Sequence, residues 1–479
     1  MFETPLRSLM SFINILVVAL VAGLVFNGNN TIAYTWQPME DDYSIEELNQ
    51  LLHPELMADK TEAGSTDSVA SSSGKVDDPI NYVFWLNISG LRTDYVDKAS
   101  TTFFDQASSR GFYSKKLIPS FPTLRWPSLV SQATGTTADV HGIVNDAMLI
   151  PGSSEVVLNP TDLELLKADP IWTTAKRQGI RVLVHDWPFS QNQPSEHAAD
   201  ISLPEFDPSK QDASRLKALL DAWSANAGSD KDRIRLVMAS LNGLDDAARK
   251  HGCRTPKVYS AFSNLDSELN VFFDELKKSW PTLARNGDRL FVILSTDHGM
   301  VDVTKLVNLS ELIAEDMRPY AKLAFSDTLG QVWVQNLPEG VTTEKALDKI
   351  EEAMGDRIYW DIYRKETIPD EWMLGEGPHI GDLVIQLKSG YAFTDQSGSE
   401  AVFAPDEVGG QVAASGLTVR SSSRMRGSTW IYEWPARRFA KEGEEVDATQ
   451  LHATVCRILG IEPSAKANPN PIEIEMVSE

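Results

Sequence analysis

The chain has 479 residues, 42% of them hydrophobic, which is enough to bury a large core, and its two cysteines exclude a disulfide framework. A formal net charge of -24 excludes nucleic acid as a partner, because phosphate backbones demand basic surface, and it disfavours anionic membrane surfaces. Cys253 and Cys456 either form one pair or are simply buried, and the apolar helix face around Cys456 favours burial.

Residues 1–8 contain Arg7 and precede the membrane-length apolar run, Leu9 to Phe26, which holds Ser11 and Asn14 but no charge. No Lys or Arg follows until Lys60, an asymmetry that puts the N-terminus in the cytoplasm and the rest outside. The NGNNT that follows offers no small-x-small cleavage site, so residues 9–27 predict an uncleaved transmembrane signal anchor. Residues 28–77 are acidic and Ser-rich (MEDDYSIEE, STDSVASSSG) and read as a flexible tether to the membrane.

From residue 78 short apolar runs alternate with helical patterns. Tyr82 to Ile88, Arg181 to Trp187, Arg233 to Leu241 and Leu290 to Ser295 read as buried strands. Val258, Phe262, Leu265, Leu269, Phe272 and Leu276 recur every three or four residues and give one apolar stripe on a helix. This alternation predicts a doubly wound α/β sheet with helices on both faces, spanning 78–465 and followed by a tail over 466–479. Ligands in such sheets collect beyond the carboxyl ends of the strands, where Ser89, Asn242 and Asp297 each follow a run.

Several motifs lie in order along this domain: YVFWLNISGLRTDY from Tyr82, FPTLRWPS from Phe121, TG…HGIV from Thr134, and PIWTTAKRQGIRVLVHDWP from Pro170. FVILSTDHGM from Phe291, HIGDL from His379, Arg437 to Phe439 and LHATVCRILGI from Leu451 complete the series. Together they resemble the type I phosphodiesterase and nucleotide pyrophosphatase family of the alkaline phosphatase superfamily. The resemblance implies a metal-dependent hydrolase fold in which two zinc ions are held by carboxylates and imidazoles and a Thr is the nucleophile.

Residue by residue, that chemistry is depleted. Asp297 and His298 match the family's Asp-His metal ligands. Ser89 stands where a ligand Asp is expected, and Arg125 stands at the nucleophile position with a guanidinium that cannot attack phosphorus. In LNGLDDAARKHG the family's Asp-x-x-x-His pair falls on Asn242 and Asp246, and the His of its G-x-H-G-Y segment falls on Thr418. The Asn that supports the phosphoryl group is replaced by Asp146, with Asn145 adjacent. His141 reads as structural, and His185, His197 and His379 are isolated, although His379 could reach the pocket. Neither cysteine lies in the C/S-x-P-x-R context a sulfatase requires.

The expectation is a membrane-anchored, exported pseudoenzyme with a binding or scaffolding role, without zinc, whose Arg125 and Asn145 could hold an anionic small molecule. Arg125 is expected to replace the metal as the local positive charge, forming a salt bridge to Asp297 and to Asp146, the alternative being that Arg125 turns outward to solvent and backbone amides satisfy Asp297. The competing expectations are an active hydrolase of altered mechanism, with one metal and Thr123, Ser128 or Ser89 as nucleophile, and a structural subunit of an envelope complex.

Overall fold

The computed structural model describes residues 79–474, apart from 99–100, 151, 205–206, 208, 227–232, 286, 356–357 and 435–440. The expected anchor at 9–27, the tether at 28–77 and the Arg437 to Phe439 motif therefore lie outside the described residues, among which no helix is long and apolar enough to cross a membrane. Asp77–Glu479 forms one compact unit.

Its frame is a mixed sheet. Strands β1 (Asn81–Ile88), β2 (Phe112–Ile118), β3 (Arg181–His185), β4 (Ile201–Ser202), β5 (Ile234–Leu241) and β6 (Arg289–Ser295) come from the first two thirds of the domain. A second, antiparallel sheet follows, made of β7 (Ala321–Ser326), β8 (Leu329–Val334), β9 (Trp360–Arg364) and β10 (Leu383–Leu387). The chain then returns as β11 (Gly427–Trp434), giving the order β2-β11-β6-β1-β5-β3-β4 within a nine-stranded main sheet, in which β2 also pairs with short strands at Lys441–Glu442 and Val446–Asp447. From β6 to β4 all neighbours are parallel, whereas β11 runs antiparallel to both β6 and β2.

The sequence of β1, NYVFWLNI, shows why it sits at the centre. Every residue after Asn81 is buried, as a strand covered on both faces requires. Val83 and Trp85 point into a core built with α2 (Arg125–Thr134), α3 (Ile171–Arg177) and α8 (Gln450–Leu459). Tyr82, Phe84 and Leu86 point the other way, against α1 (Phe103–Arg110), α4 (Asp212–Ala225), α5 (Gly243–His251) and α6 (Pro256–Leu283). Period-two alternation in a strand thus becomes two cores, each fully buried large side chain contributing about 1.5–3 kcal/mol. Trp85 also donates its indole N–H to Ser295 Oγ at 2.9 Å and packs edge-on against Trp187 at 5.1 Å. In the second sheet, α7 (Thr343–Met354) covers one face through Ala346, Leu347 and Ile350.

The doubly wound sheet with helices on both faces is therefore as the sequence predicts, and the second sheet is an addition it did not announce. Cys253 and Cys456 are free thiols buried in opposite cores. No boundary falls at 465: Ala467 and Ile472 are buried, Asn468 donates its amide to Gly135 O at 2.7 Å, and Ile472 donates to Thr454 Oγ1 at 2.9 Å.

Candidate functional site

Because β1, β5 and β6 are parallel neighbours, their carboxyl ends deliver Ser89, Asn242 and Asp297 to one edge of the sheet, as expected. Asp297 and His298 follow β6 after Thr296, and both are fully buried. One carboxylate oxygen of Asp297 accepts the Ser89 hydroxyl at 2.7 Å; the other accepts the backbone amides of His298 at 2.8 Å and Gly90 at 3.2 Å. Gly90 can turn the chain there because it has φ +70°, and a Cβ on it would lie 3.0 Å from Asp245 Cα. His298 donates from Nδ1 to Gly299 O at 3.1 Å, leaving Nε2 at 3.7 Å from Asp297 Oδ2 and 3.9 Å from Asp245 Oδ1.

Asp245 belongs to α5. The helix presents Asp245 and Arg249 on one face, four residues apart, and Arg249 Nε donates to Asp245 at 2.7 Å. The other end of the same guanidinium donates at 2.6 Å to Asp327, in the turn between β7 and β8. Asp327 also accepts the Ser415 hydroxyl at 2.6 Å, the Ser415 amide at 2.7 Å and the Gln411 amide at 3.0 Å. Burial alone would raise the Asp327 pKa; Arg249 and Ser415 outweigh it and bring the carboxyl down to about 2. Arg249 is held charged in the same way, with Asp245 and Asp327 overcoming its burial.

Arg125 opens α2, an unfavourable end for a cation, and its guanidinium lies 5.7 Å from the Trp126 ring. Burial pushes its pKa down, opposed by Asp297, Asp245, Asp146 and Asp246 in that order. Asp297 itself is held by a hydroxyl and two backbone amides, as the alternative expectation has it. Asp146 accepts the Trp126 amide at 2.8 Å, and its burial raises its pKa to about 6.

A cavity of about 660 Å³ opens over these groups, with Arg125, Asp146, Asn242, Asp245, Asp246 and Arg249 on its polar side. Leu323, Phe325 and Phe393 line its apolar side. Asn242 is 4% exposed, and neither its side-chain oxygen nor its nitrogen has a hydrogen-bond partner among the described residues.

Several sequence assignments need correction. Asn242 and Asp246 reach the cavity, but the residue beside His298 is Asp245, and its partner at the Asp-x-x-x-His spacing is Arg249. Both pairs have i,i+4 spacing, so spacing alone could not choose between them; the choice depends on where α5 begins. Asp245 therefore joins Asp297 and His298 in the cluster at the end of β6. Thr418 is not in this cluster: it bonds Ser421 and lines a separate cavity with Tyr363 and Trp372. From the same loop it is Ser415 that reaches the cluster, donating its hydroxyl and amide to Asp327. Asn145, expected as an anion ligand, donates to Leu329 O at 3.2 Å, is fully buried and is not on the cavity wall.

Of the alternative nucleophiles, Thr123 donates to Leu417 O at 2.7 Å, Ser128 is buried, and Ser89 is tied to Asp297. His141 is structural, accepting the Ile143 amide at Nδ1 and donating from Nε2 to Ser131 Oγ. Neither His379 nor His185 lines the cavity, and His185 lies 3.3 Å from Asp186.

A pair of zinc ions needs two sets of carboxylate and imidazole donors, and this arrangement does not fit one. Both Asp297 oxygens already accept hydrogen bonds, and a guanidinium bridges Asp245 and Asp327. Among the described residues no group of three or more His, Cys, Asp or Glu side chains is disposed to hold a metal ion.

Comparison with known proteins places this geometry. Residues 83–416 match the family model for type I phosphodiesterase / nucleotide pyrophosphatase. An uncharacterized pyrophosphatase/phosphodiesterase of Schizosaccharomyces pombe is 24% identical over 322 residues, covering 63% of this chain and 61% of that protein. Human ectonucleotide pyrophosphatase/phosphodiesterase family member 7 is 22% identical over 394 residues, covering 80% of this chain and 81% of the relative. The solved structure of murine ectonucleotide pyrophosphatase/phosphodiesterase 5 superposes with a TM-score of 0.68 at 21% identity, covering 81% of this chain and 96% of that one, so the fold is alkaline-phosphatase-like. With the matched motifs, the shared sheet and the Asp-His pair at the end of β6, the chain belongs to the type I phosphodiesterase / nucleotide pyrophosphatase family.

Proposed function

We propose that this chain is a pseudoenzyme of its family, with a binding or scaffolding role in place of two-metal hydrolysis. The observation that carries the reading is that guanidinium groups stand among the acids: Arg249 between Asp245 and Asp327, and Arg125 under the influence of Asp297, Asp245, Asp146 and Asp246. A fixed cation there neutralises carboxylates as a metal would, but it offers no open coordination position at which a nucleophile could be bound and activated.

The test is phosphodiester and phosphomonoester hydrolysis by the full chain with added zinc, alongside metal analysis. Background turnover is expected; two bound zinc ions, or metal-dependent turnover abolished by Asp297→Ala, would sink the reading in favour of an active hydrolase. Restoring Asp at Ser89 and Thr at Arg125 together should leave hydrolysis at background, because Arg249 and Ser415 still stand in the donor set.

The same proposal places the domain outside the cytoplasmic membrane, tethered by residues 9–27, supported by Arg7 and the lack of basic residues before Lys60. A reporter active only outside the cytoplasm, fused after Glu479, should be active and membrane-bound. Release of a shortened soluble chain would show that the anchor is cleaved.

A further inference from the structure

The cavity wall carries five carboxylates, from Asp146, Asp245, Asp246, Asp327 and Asp395, against only two guanidiniums. Arg249 is committed to Asp245 and Asp327 by short ion pairs, and Arg125 stands on the same wall as the acids. Negative charge is left in excess at Asp146, Asp246 and the exposed Asp395. An anion entering past these groups meets a repulsive field, so Arg125 alone is a poor guide to the ligand. A cation gains from the same field, and more so because low-dielectric walls on one side concentrate it.

The acids alone would not define a site, since acidic clusters are commonly just solvated. The second observation is Asn242, which is more than nine-tenths buried, lines the cavity and has both side-chain polar atoms without a hydrogen-bond partner among the described residues. Asp245 Oδ1, on the same wall, also makes no hydrogen bond among the described residues. Buried polar atoms of this kind cost free energy unless a partner is supplied, and here the space in front of them is the cavity. Opposite stand Leu323, Phe325 and Phe393, the two rings 5.6 Å apart between centroids. An inorganic cation would satisfy the acids and leave this apolar wall bare.

We propose that the cavity binds an organic cation, an ammonium compound with an apolar or aromatic body, whose charge faces Asp146, Asp246 and Asp395 and whose polar hydrogens meet Asn242 and Asp245. This rests on the binding reading above and names its ligand class. The ammonium supplies donors to carboxylates and to an amide oxygen, while the body covers the phenylalanine wall.

A matched pair of probes separates charge from shape: tyramine and 4-hydroxyphenylacetate share a phenol ring and differ in the sign of the terminal group. Calorimetric titration of the full chain should show tyramine binding that weakens with added salt, and no binding of 4-hydroxyphenylacetate. Losing one charge-assisted contact should weaken tyramine binding about tenfold in Asp246→Asn. Asp395→Asn, at an exposed residue with little bearing on folding, should weaken it by a smaller factor, with thermal unfolding of both variants as the check on structure. Equal or tighter binding of 4-hydroxyphenylacetate, absence of binding by either probe, or tyramine binding indifferent to both substitutions would overturn the proposal. The hydrolysis assay reports independently, so loss of this inference and loss of the pseudoenzyme reading are distinguishable.

Discussion

The two halves of the site solve the same electrostatic problem differently. On the β6 side the carboxylate of Asp297 is met by neutral donors, a serine hydroxyl and two backbone amides. On the α5 side Asp245 and Asp327 share a full charge, the guanidinium of Arg249, to which Ser415 and Gln411 add neutral donors at Asp327. The first solution draws on strand ends and a glycine turn, which are local and rigid. The second ties a helix to the turn of the other sheet, so the α5 half of the site also joins parts of the fold that are far apart in sequence. Neutral donors can be removed one at a time at modest cost, whereas removing the shared cation strands two buried acids together.

The largest test of that contrast is Arg249→Ala. Leaving Asp245 and Asp327 without their cation should destabilise the domain by about 3–5 kcal/mol in urea unfolding. A loss below about 1 kcal/mol would show that water reaches the pair and that the α5 half is no more demanding than the β6 half.

Asp146 sharpens the comparison through pH. Its folded-state pKa of about 6 lies above the ordinary carboxylate value of about 3.9, so its contribution is fully present below that value and is lost as pH rises through 6. At neutral pH the charged form is a burden on the fold. Asp146→Asn, which can still accept the Trp126 amide, should therefore raise stability by up to about 2 kcal/mol at pH 7, with the gain fading between about pH 6 and pH 4. A gain independent of pH would mean that the carboxyl titrates normally.

The smallest effect belongs to the neutral half. Ser89→Ala removes one of three hydrogen bonds to Asp297 and should cost about 1–2 kcal/mol. A cost equal to that of Arg249→Ala would erase the distinction between the halves.

What was legible in the sequence follows the same division. The buried strands at Tyr82 to Ile88 and Leu290 to Ser295 announce themselves by unbroken apolar runs, and the α6 stripe by its spacing, so the frame and the positions of Ser89 and Asp297 could be read directly. Arg249 and Asp327 could not, because their meaning lies in a contact across 78 residues that no periodicity encodes. Ser415 was hidden for a related reason: the loop before Met425 offers several hydroxyls, and only the position of Asp327 selects one. The second sheet has mixed, half-buried edge strands such as Ala321–Ser326, whose pattern gives a weaker period.

The amino end of α5 bears on any attempt to rebuild this protein. The amides of Asn242 and Gly243 are capped at 3.1 and 2.9 Å by the carboxylate of Asp212, which comes from α4. A helix terminus that could greet an incoming phosphate instead holds an anion built into the chain itself. Asp212 is further linked to Arg215, and Arg215 to Asp186 just after β3, so this resident anion is moored on two sides. A side chain at Gly243 would meet it at 2.9 Å. An engineer restoring phosphate chemistry to this scaffold would have a tenant to evict at α5 before any new metal ligand could matter.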